Sequence, residues 1–328
     1  MRYQDFVFFC KQCKYTPNDY MTGIQRKCYN AIIAILTLLM LLYRRISNIF
    51  VHKKYKYTLG IIVTAKNESE YIQEWCAFHK VAGVDVIFLY DNESFDDMKE
   101  KLRPFIDSGF VKYHYVEGKG RQMQTYKEAF NRHRKECKYL AIIDCDEYLF
   151  SVDTNRKLKE VIKSFFTKNK YAGGLVVNWI MFGDNGHVRT PSGLCFESFT
   201  KRALPGKSGT IHVKSIMQTK DTLFINTPHS AIYKWGKAAY SQDGKIVPGP
   251  FNTINHYPTP IHLNHYFCKS IEQWHKRRNI GDVFTPDFIR PVSTFHTHNN
   301  NDVEDVAILA YLQETKQILK TIQNTETA

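Results

Sequence analysis

Between residues 58 and 143 short apolar runs alternate with stretches of helical periodicity, and each run ends in a polar cluster. Leu59 to Val63 leads into the turn Thr64-Ala-Lys-Asn-Glu68. Tyr71, Ile72, Trp75, Cys76 and Phe78 then recur at helical spacing, with Asn67 or Ser69 able to cap the start. Val84 to Tyr90 is a second strand, followed by a helix predicted over Asp96 to Phe105. Val111 to Val116, a helix over Gln122 to Cys137, and a strand over Tyr139 to Ile143 complete the series. Such alternation predicts a mostly parallel sheet flanked by helices, because parallel neighbours need helical crossovers.

Ligands of such sheets bind at the carboxyl ends of the strands. Here those ends carry Lys66-Asn-Glu68, Asp91-Asn92 and Asp144-Cys-Asp146, so three polar clusters converge on one crevice. Alternation in an extended chain sends Asp144 and Asp146 to one side, where two carboxylates repel unless a cation joins them. A hard divalent metal is the natural bridge. Glu147 points the other way and is read as a support for the turn. No Gly-x-Gly-x-x-Gly follows the first strand and no Gly-Lys-Ser/Thr occurs, which argues against dinucleotide and P-loop folds. Lys66, Asn67, Glu68 and Asp91 are therefore expected at the base and ribose of a nucleotide whose diphosphate meets the metal.

With 43% hydrophobic and 14% aromatic residues, the 328-residue chain can bury a sizeable core. Its net charge of +13 suits anionic partners, and the lack of zinc-finger or RNP patterns sets nucleic acid aside. The eight cysteines are scattered, as for reduced core thiols in a cytosolic setting; Cys10 and Cys13 supply only half a zinc site.

The sequence divides into an N-terminal extension over 1–57, a catalytic domain over 58–290 and a helical tail over 291–328. The domain reads as a nucleotide-binding half, 58–150, and an acceptor-side half, 151–290. Within the extension, Ala31 to Tyr43 is apolar but shorter than the roughly 20 residues of a membrane span. It is read as a helix lying against the inner face of the cytoplasmic membrane, with Arg44, Arg45, Lys53, Lys54 and Lys56 on anionic head groups. In the acceptor-side half, Trp179, Phe182, Phe196, Tyr257, Tyr266 and Trp274 are of a kind that stacks on sugars or packs a core. A third metal ligand is sought among His229, His256, His262 and His265, with His229 favoured over His265. Arg277 and Arg278 are candidates to meet diphosphate.

Lys66-Asn-Glu68, Glu74-Trp75, His79, Gly83-Val84, Leu89-Tyr-Asp-Asn92 with Ser94, Gln122 with Tyr126, and Asp144-Cys-Asp-Glu147 together resemble glycosyltransferase family 92 and related family-2-like bacterial transferases of lipopolysaccharide and capsule synthesis. The pattern continues in Trp179, in Phe182-Gly-Asp-Asn-Gly-His187, in Glu197, in Lys214-Ser-Ile216 and in Ile261-His-Leu-Asn-His-Tyr266. The resemblance implies a GT-A-type fold, a nucleotide-diphospho-sugar donor, UDP-linked for preference, with Gln122 in its binding set. It also implies a Mn²⁺ or Mg²⁺ ion on Asp144 and Asp146, and transfer to a hydroxyl of a surface glycan or glycolipid. Inversion at the anomeric carbon would need a base across the sugar ring; the family pattern places an acid at Glu197, with Asp184 second. The alternatives are a nucleotidyl or phosphoryl transferase, and a non-catalytic glycan-binding or membrane-associated protein with a degenerate transferase fold.

Overall fold

The structure, a computed structural model, describes residues 54–253, 257–280 and 289–326. The Ala31–Tyr43 segment, the Cys10/Cys13 pair and His256 lie outside the described residues. No helix among the described residues is long and apolar enough to cross a membrane.

In chain order the main elements are β1 (Tyr57–Ala65), α1 (Ile72–Ala82), β2 (Val86–Asp91), β3 (Val111–Tyr115), α2 (Gln122–His133), β4 (Cys137–Ile142) and β5 (Glu147–Ser151). They continue through α3 (Leu158–Lys168), β6 (Ala172–Asn178), β7 (Ile180–Met181), β8 (Lys201–Arg202), β9 (Val213–Gln218), β10 (Thr222–Thr227), β11 (Ser230–Tyr233) and β12 (Ala238–Tyr240). The last are β13 (Ile261–His265), α4 (Ile271–Ile280), β14 (Val303–Glu304) and α5 (Leu312–Glu326).

A seven-stranded sheet runs in the order β12-β6-β9-β4-β1-β2-β3. β1 pairs in parallel with both β2 and β4, and β2 with β3, as the alternation predicts. β1, an interior strand, is buried along most of its length on both faces. A Cβ at Gly60 would come 2.8 Å from Cys137 Sγ, so the β1–β4 contact requires glycine there. α1 buries Ile72, Trp75, Cys76 and Phe78 and ends at Gly83, whose φ of 96° closes the helix in the left-handed conformation.

The two halves read from the sequence share this one sheet. β9 runs antiparallel between β4 and β6, and so stitches residues 213–218 beside the acid-bearing strand. A second sheet, β5-β13-β7, stands at the sheet's carboxyl end, with His265 opposite Glu147 in the β13–β5 register. The C-terminal segment is tied into the same body. β14 pairs with β8, α5 packs against α1, Tyr311 donates to the Ser151 carbonyl at 2.7 Å, and Ile308, Tyr311 and Ile322 join the main core.

Two local expectations are corrected. Neither Asn67 nor Ser69 caps α1, whose first turn carries no side-chain cap. Instead Asn67, in the left-handed region at φ 54°, accepts the Phe95 amide, and Ser69 donates its own amide to Asp96. The turn after β1 is thus pinned across to the turn after β2. The helix expected over Asp96 to Phe105 is two short pieces, Met98–Lys101 and Arg103–Asp107. Pro104 has no amide proton with which to continue the first piece into the second.

Candidate active site

β4 stops at Ile142, and the next residues fold into a turn in which the Glu147 amide donates to the Asp144 carbonyl at 3.1 Å. Asp144 and Asp146 are therefore presented by a turn between two strands, where extended-chain alternation does not hold. Glu147 has the supporting place expected of it. Its Oε2 accepts the Asp144 amide at 2.9 Å, and its carbonyl accepts Trp75 Nε1 at 2.7 Å.

The two aspartates are held by different cations. Asp144 Oδ2 takes Lys214 Nζ at 2.7 Å and Oδ1 takes the Tyr126 hydroxyl at 3.1 Å. Tyr126 in turn accepts from Thr64 Oγ1 and from Gln122 Nε2. Asp146 Oδ2 takes Arg277 at 2.6 Å, while Oδ1 lies 3.4 Å from His265 Nε2. Burial works against ionising both aspartates, but Lys214 beside Asp144, and Arg277 and His265 beside Asp146, outweigh it and hold both carboxyls below the ordinary range. Glu147 goes the other way. Burial pushes its carboxyl well up, and the Lys214 ammonium 3.6 Å away does not offset that together with the neighbouring aspartates.

These groups border a cavity of about 480 Å³, a size suited to a nucleotide-sized ligand. Of the residues predicted from sequence, Lys66, Asn67, Glu68, Gln122, Asp144, Asp146 and His229 line it. Lys269, Lys276, Arg277, Arg278 and Arg290 give the wall a basic character. Asn67, Trp179 and Trp274 line it too, and Asn67 Nδ2, Trp179 Nε1 and Trp274 Nε1 are buried donors without a hydrogen-bond partner.

Three predicted residues are not brought to the cavity. Asp91 is spent inside the fold, its Oδ2 accepting the Tyr113 hydroxyl at 2.6 Å and its Oδ1 the Ser94 amide at 2.9 Å. Glu197 sits in the short helix Cys195–Ser198 and pairs at 2.7 Å with Lys316 of α5. Asp184 accepts the Gly186 amide at 2.8 Å and Asn301 Nδ2 at 3.0 Å, holding its own turn. None of the three side chains is among those that line the cavity.

The donor set suits a divalent cation, tested on Asp146. Its Oδ1 is buried without a hydrogen-bond partner, in a side chain 2% exposed, and faces a histidine nitrogen. Two atoms sharing one ion at bonds of about 2.1 Å lie roughly 3 Å apart. The 3.4 Å separation of Asp146 Oδ1 and His265 Nε2 is close to that. Among the described residues no group of three or more His, Cys, Asp and Glu side chains forms a cage. An ion here would complete its shell with ligand oxygens, as Mg²⁺ does with substrate phosphates. His229, the histidine favoured from sequence, lines the same cavity near Asp144. Its Nδ1 bonds the Val213 carbonyl at 2.9 Å, and burial, then Lys214, pushes its pKa down to about 4. It is neutral at pH 7, as a ligand or acceptor must be.

Other residues of the recurring pattern prove to be framework. Glu74, at 6% exposure, accepts the Tyr148 hydroxyl and the amides of Cys195 and Phe196. His79 joins Trp75 to Leu149, and burial lowers its pKa to about 3. They lock α1 to β5.

A mostly parallel sheet carries an acidic turn at its carboxyl end, facing a basic cavity, as expected of a GT-A-type fold. The family model of glycosyltransferase family 92 matches residues 61–304, and the chain belongs to that family. A family 92 protein of Ricinus communis is 25% identical over 239 residues, covering 72% of this chain and 38% of that protein. One of Arabidopsis thaliana is 25% identical over 248 residues, covering 73% and 38%. The chain thus spans well under half the length of these curated relatives. Solved structures resemble it only partially. S. aureus TarS 1–349 in complex with UDP has a TM-score of 0.33 at 18% identity, covering 49% of this chain and 47% of that one. Glucosyl-3-phosphoglycerate synthase from Mycobacterium tuberculosis with Mn²⁺, UDP-glucose and phosphoglyceric acid has 0.27 at 14%, covering 38% and 44%. At such scores they carry no weight for substrate.

Proposed function

We propose that the protein is a glycosyltransferase moving a sugar from a nucleotide-diphospho-sugar, UDP-linked for preference, to a hydroxyl of a surface glycan. A Mn²⁺ or Mg²⁺ ion is its cofactor. The observation that supports this most directly is the buried Asp146 Oδ1, without a hydrogen-bond partner and 3.4 Å from His265 Nε2, in a cavity walled by cations. Asp146 and His265 would hold the ion. When bound, it neutralises charge developing on the leaving diphosphate.

The chain's own residues do the rest. Lys269 and Arg278 bring positive charge to the phosphates, and Arg's planar fork matches two phosphate oxygens. Asn67, Gln122 and Lys66 line the side nearest β1, where base and ribose are expected. Trp179, flanked by His212, His229 and His265, offers an apolar wall for a sugar ring. Inverting transfer needs a carboxylate to take the acceptor proton. With Asp144 paired to Lys214 and Asp146 assigned to the ion, the cavity-lining carboxylates left for this are Glu68 and Glu70. Burial raises the Glu68 carboxyl, in the direction that makes a better base near neutrality.

The deciding experiment is a screen of nucleotide sugars with purified full chain in Mn²⁺ and in EDTA, read by mass spectrometry of transfer and hydrolysis products. Metal-dependent turnover of one donor class is expected. No turnover of any nucleotide sugar, with nucleotide binding absent as well, would overturn the proposal.

A further inference from the structure

Two side-chain cations neutralise the acid turn, and they are built differently. Lys214 is 2% exposed and fixed between Asp144 and Glu147. Arg277 is 36% exposed, projects from α4, and touches Asp146 through one nitrogen and one oxygen only. A guanidinium is most stable when two of its nitrogens meet two oxygens. Here the second Asp146 oxygen faces His265 instead, so the pair with Asp146 engages one arm of the fork. The same side chain lines the cavity beside Lys269 and Arg278, where an anion would find it.

Building on the cation and donor reading above, we infer that Arg277 is the resident counter-ion of Asp146 in the donor-free protein. It competes with the divalent cation for that carboxylate. The cation then binds weakly until a nucleotide diphosphate offers the guanidinium a second partner. Lys214 has no such freedom and stays with Asp144 throughout. The physical basis is simple: one carboxylate cannot give its full attraction to two cations at once, and a diphosphate removes the conflict by supplying more negative charge. Arg277 thereby makes cation and donor arrive together, which keeps the site from holding an ion without a substrate.

The test is Mn²⁺ titration of the full chain, followed by electron paramagnetic resonance of the free ion, with and without UDP, for wild type, Arg277→Gln and Arg277→Lys. Removing the guanidinium is expected to tighten Mn²⁺ binding to the nucleotide-free protein about tenfold, within the range of typical site couplings. The further gain on adding UDP should shrink, and the Lys variant should stay near wild type without nucleotide. Unchanged or weaker Mn²⁺ binding by a folded Gln variant overturns the inference. If the Gln variant does not fold, the Lys variant decides, because it keeps charge but loses the fork: a smaller UDP-dependent gain supports the inference and an undiminished one overturns it. Sugar transfer that continues unchanged in EDTA removes the cation reading itself and this inference with it, whereas the former results remove this inference alone.

Discussion

Lys214 Nζ lies 2.7 Å from Asp144 Oδ2, joining strand β9 to the turn after β4 across 70 residues of sequence. The ammonium is almost completely buried while the carboxylate keeps 31% of its side-chain surface. Lys214 is thus a structural cation inside a functional cluster. Burial lowers its pKa, but Asp144 and Glu147 more than restore it, and the net shift is upward.

Lys214→Met is expected to destabilise the fold by about 3 kcal/mol, the lower end for breaking a buried pair, because Asp144 retains access to water. Urea denaturation of both proteins at pH 7 measures it. Lys214→Arg should not restore full stability, since the larger planar head does not fit a site shaped to an ammonium. A Met variant as stable as wild type would mean that the pair contributes nothing net.

Acid should weaken the fold through its buried histidines. His79 is neutral in the folded state, with its pKa lowered to about 3 from an ordinary 6.5, and has both ring nitrogens bonded. Below pH 6.5 the unfolded chain takes up a proton that the folded one does not, so stability falls as pH drops towards 3 and is fully present above 6.5. At pH 5 the contribution of this one residue amounts to about 2 kcal/mol. Denaturant midpoints from pH 7.5 to 4.5 should fall for wild type and fall less steeply for His79→Gln, whose amide can replace both hydrogen bonds. Parallel slopes would exclude His79 as a contributor.

Glu197→Gln should leave sugar transfer close to wild type, because its carboxylate pairs with Lys316 outside the cavity and an exposed pair contributes little. Glu68→Gln should lower kcat by about 100-fold or more if Glu68 is the base. Steady-state kinetics with the donor found in the screen distinguishes them. The reverse order, with Glu197 essential and Glu68 dispensable, would restore the assignment made from sequence.

Asp91→Asn should reduce stability by about 1 to 3 kcal/mol by weakening the buried bonds to Tyr113 and Ser94. Nucleotide affinity, measured by calorimetry well below the melting temperature, should change little. A large loss of UDP affinity in a fully folded variant would return Asp91 to the donor site.

Much of the scaffold was legible because its signals are local. A strand apolar on both faces, a helix repeating every three or four residues, and acids immediately after an apolar run are properties of neighbouring residues. They place β1 to β4, α1, the start of α2 and the acids at the carboxyl end of the sheet, whereas the helix expected over Gln122 to Cys137 ends at His133 and Cys137 opens β4. Glu147 was read correctly as a support although the alternation behind that reading did not apply, since the chain turns where an extended strand was assumed. The place of His265 is not legible locally: nothing near Ile261–His265 announces that it pairs with β5 and lies opposite Glu147.

The sequence alone therefore determined where negative charge would collect, because that depends on which residues follow one another. The tertiary structure decided which partners those charges meet. Lys214, His265 and Arg277 come from β9, β13 and α4 to meet Asp144 and Asp146, whereas Asp91, Asp184 and Glu197 are satisfied elsewhere. Whether a carboxylate binds a ligand or holds a turn depends on the donors packed around it, and those are set by contacts across the whole chain.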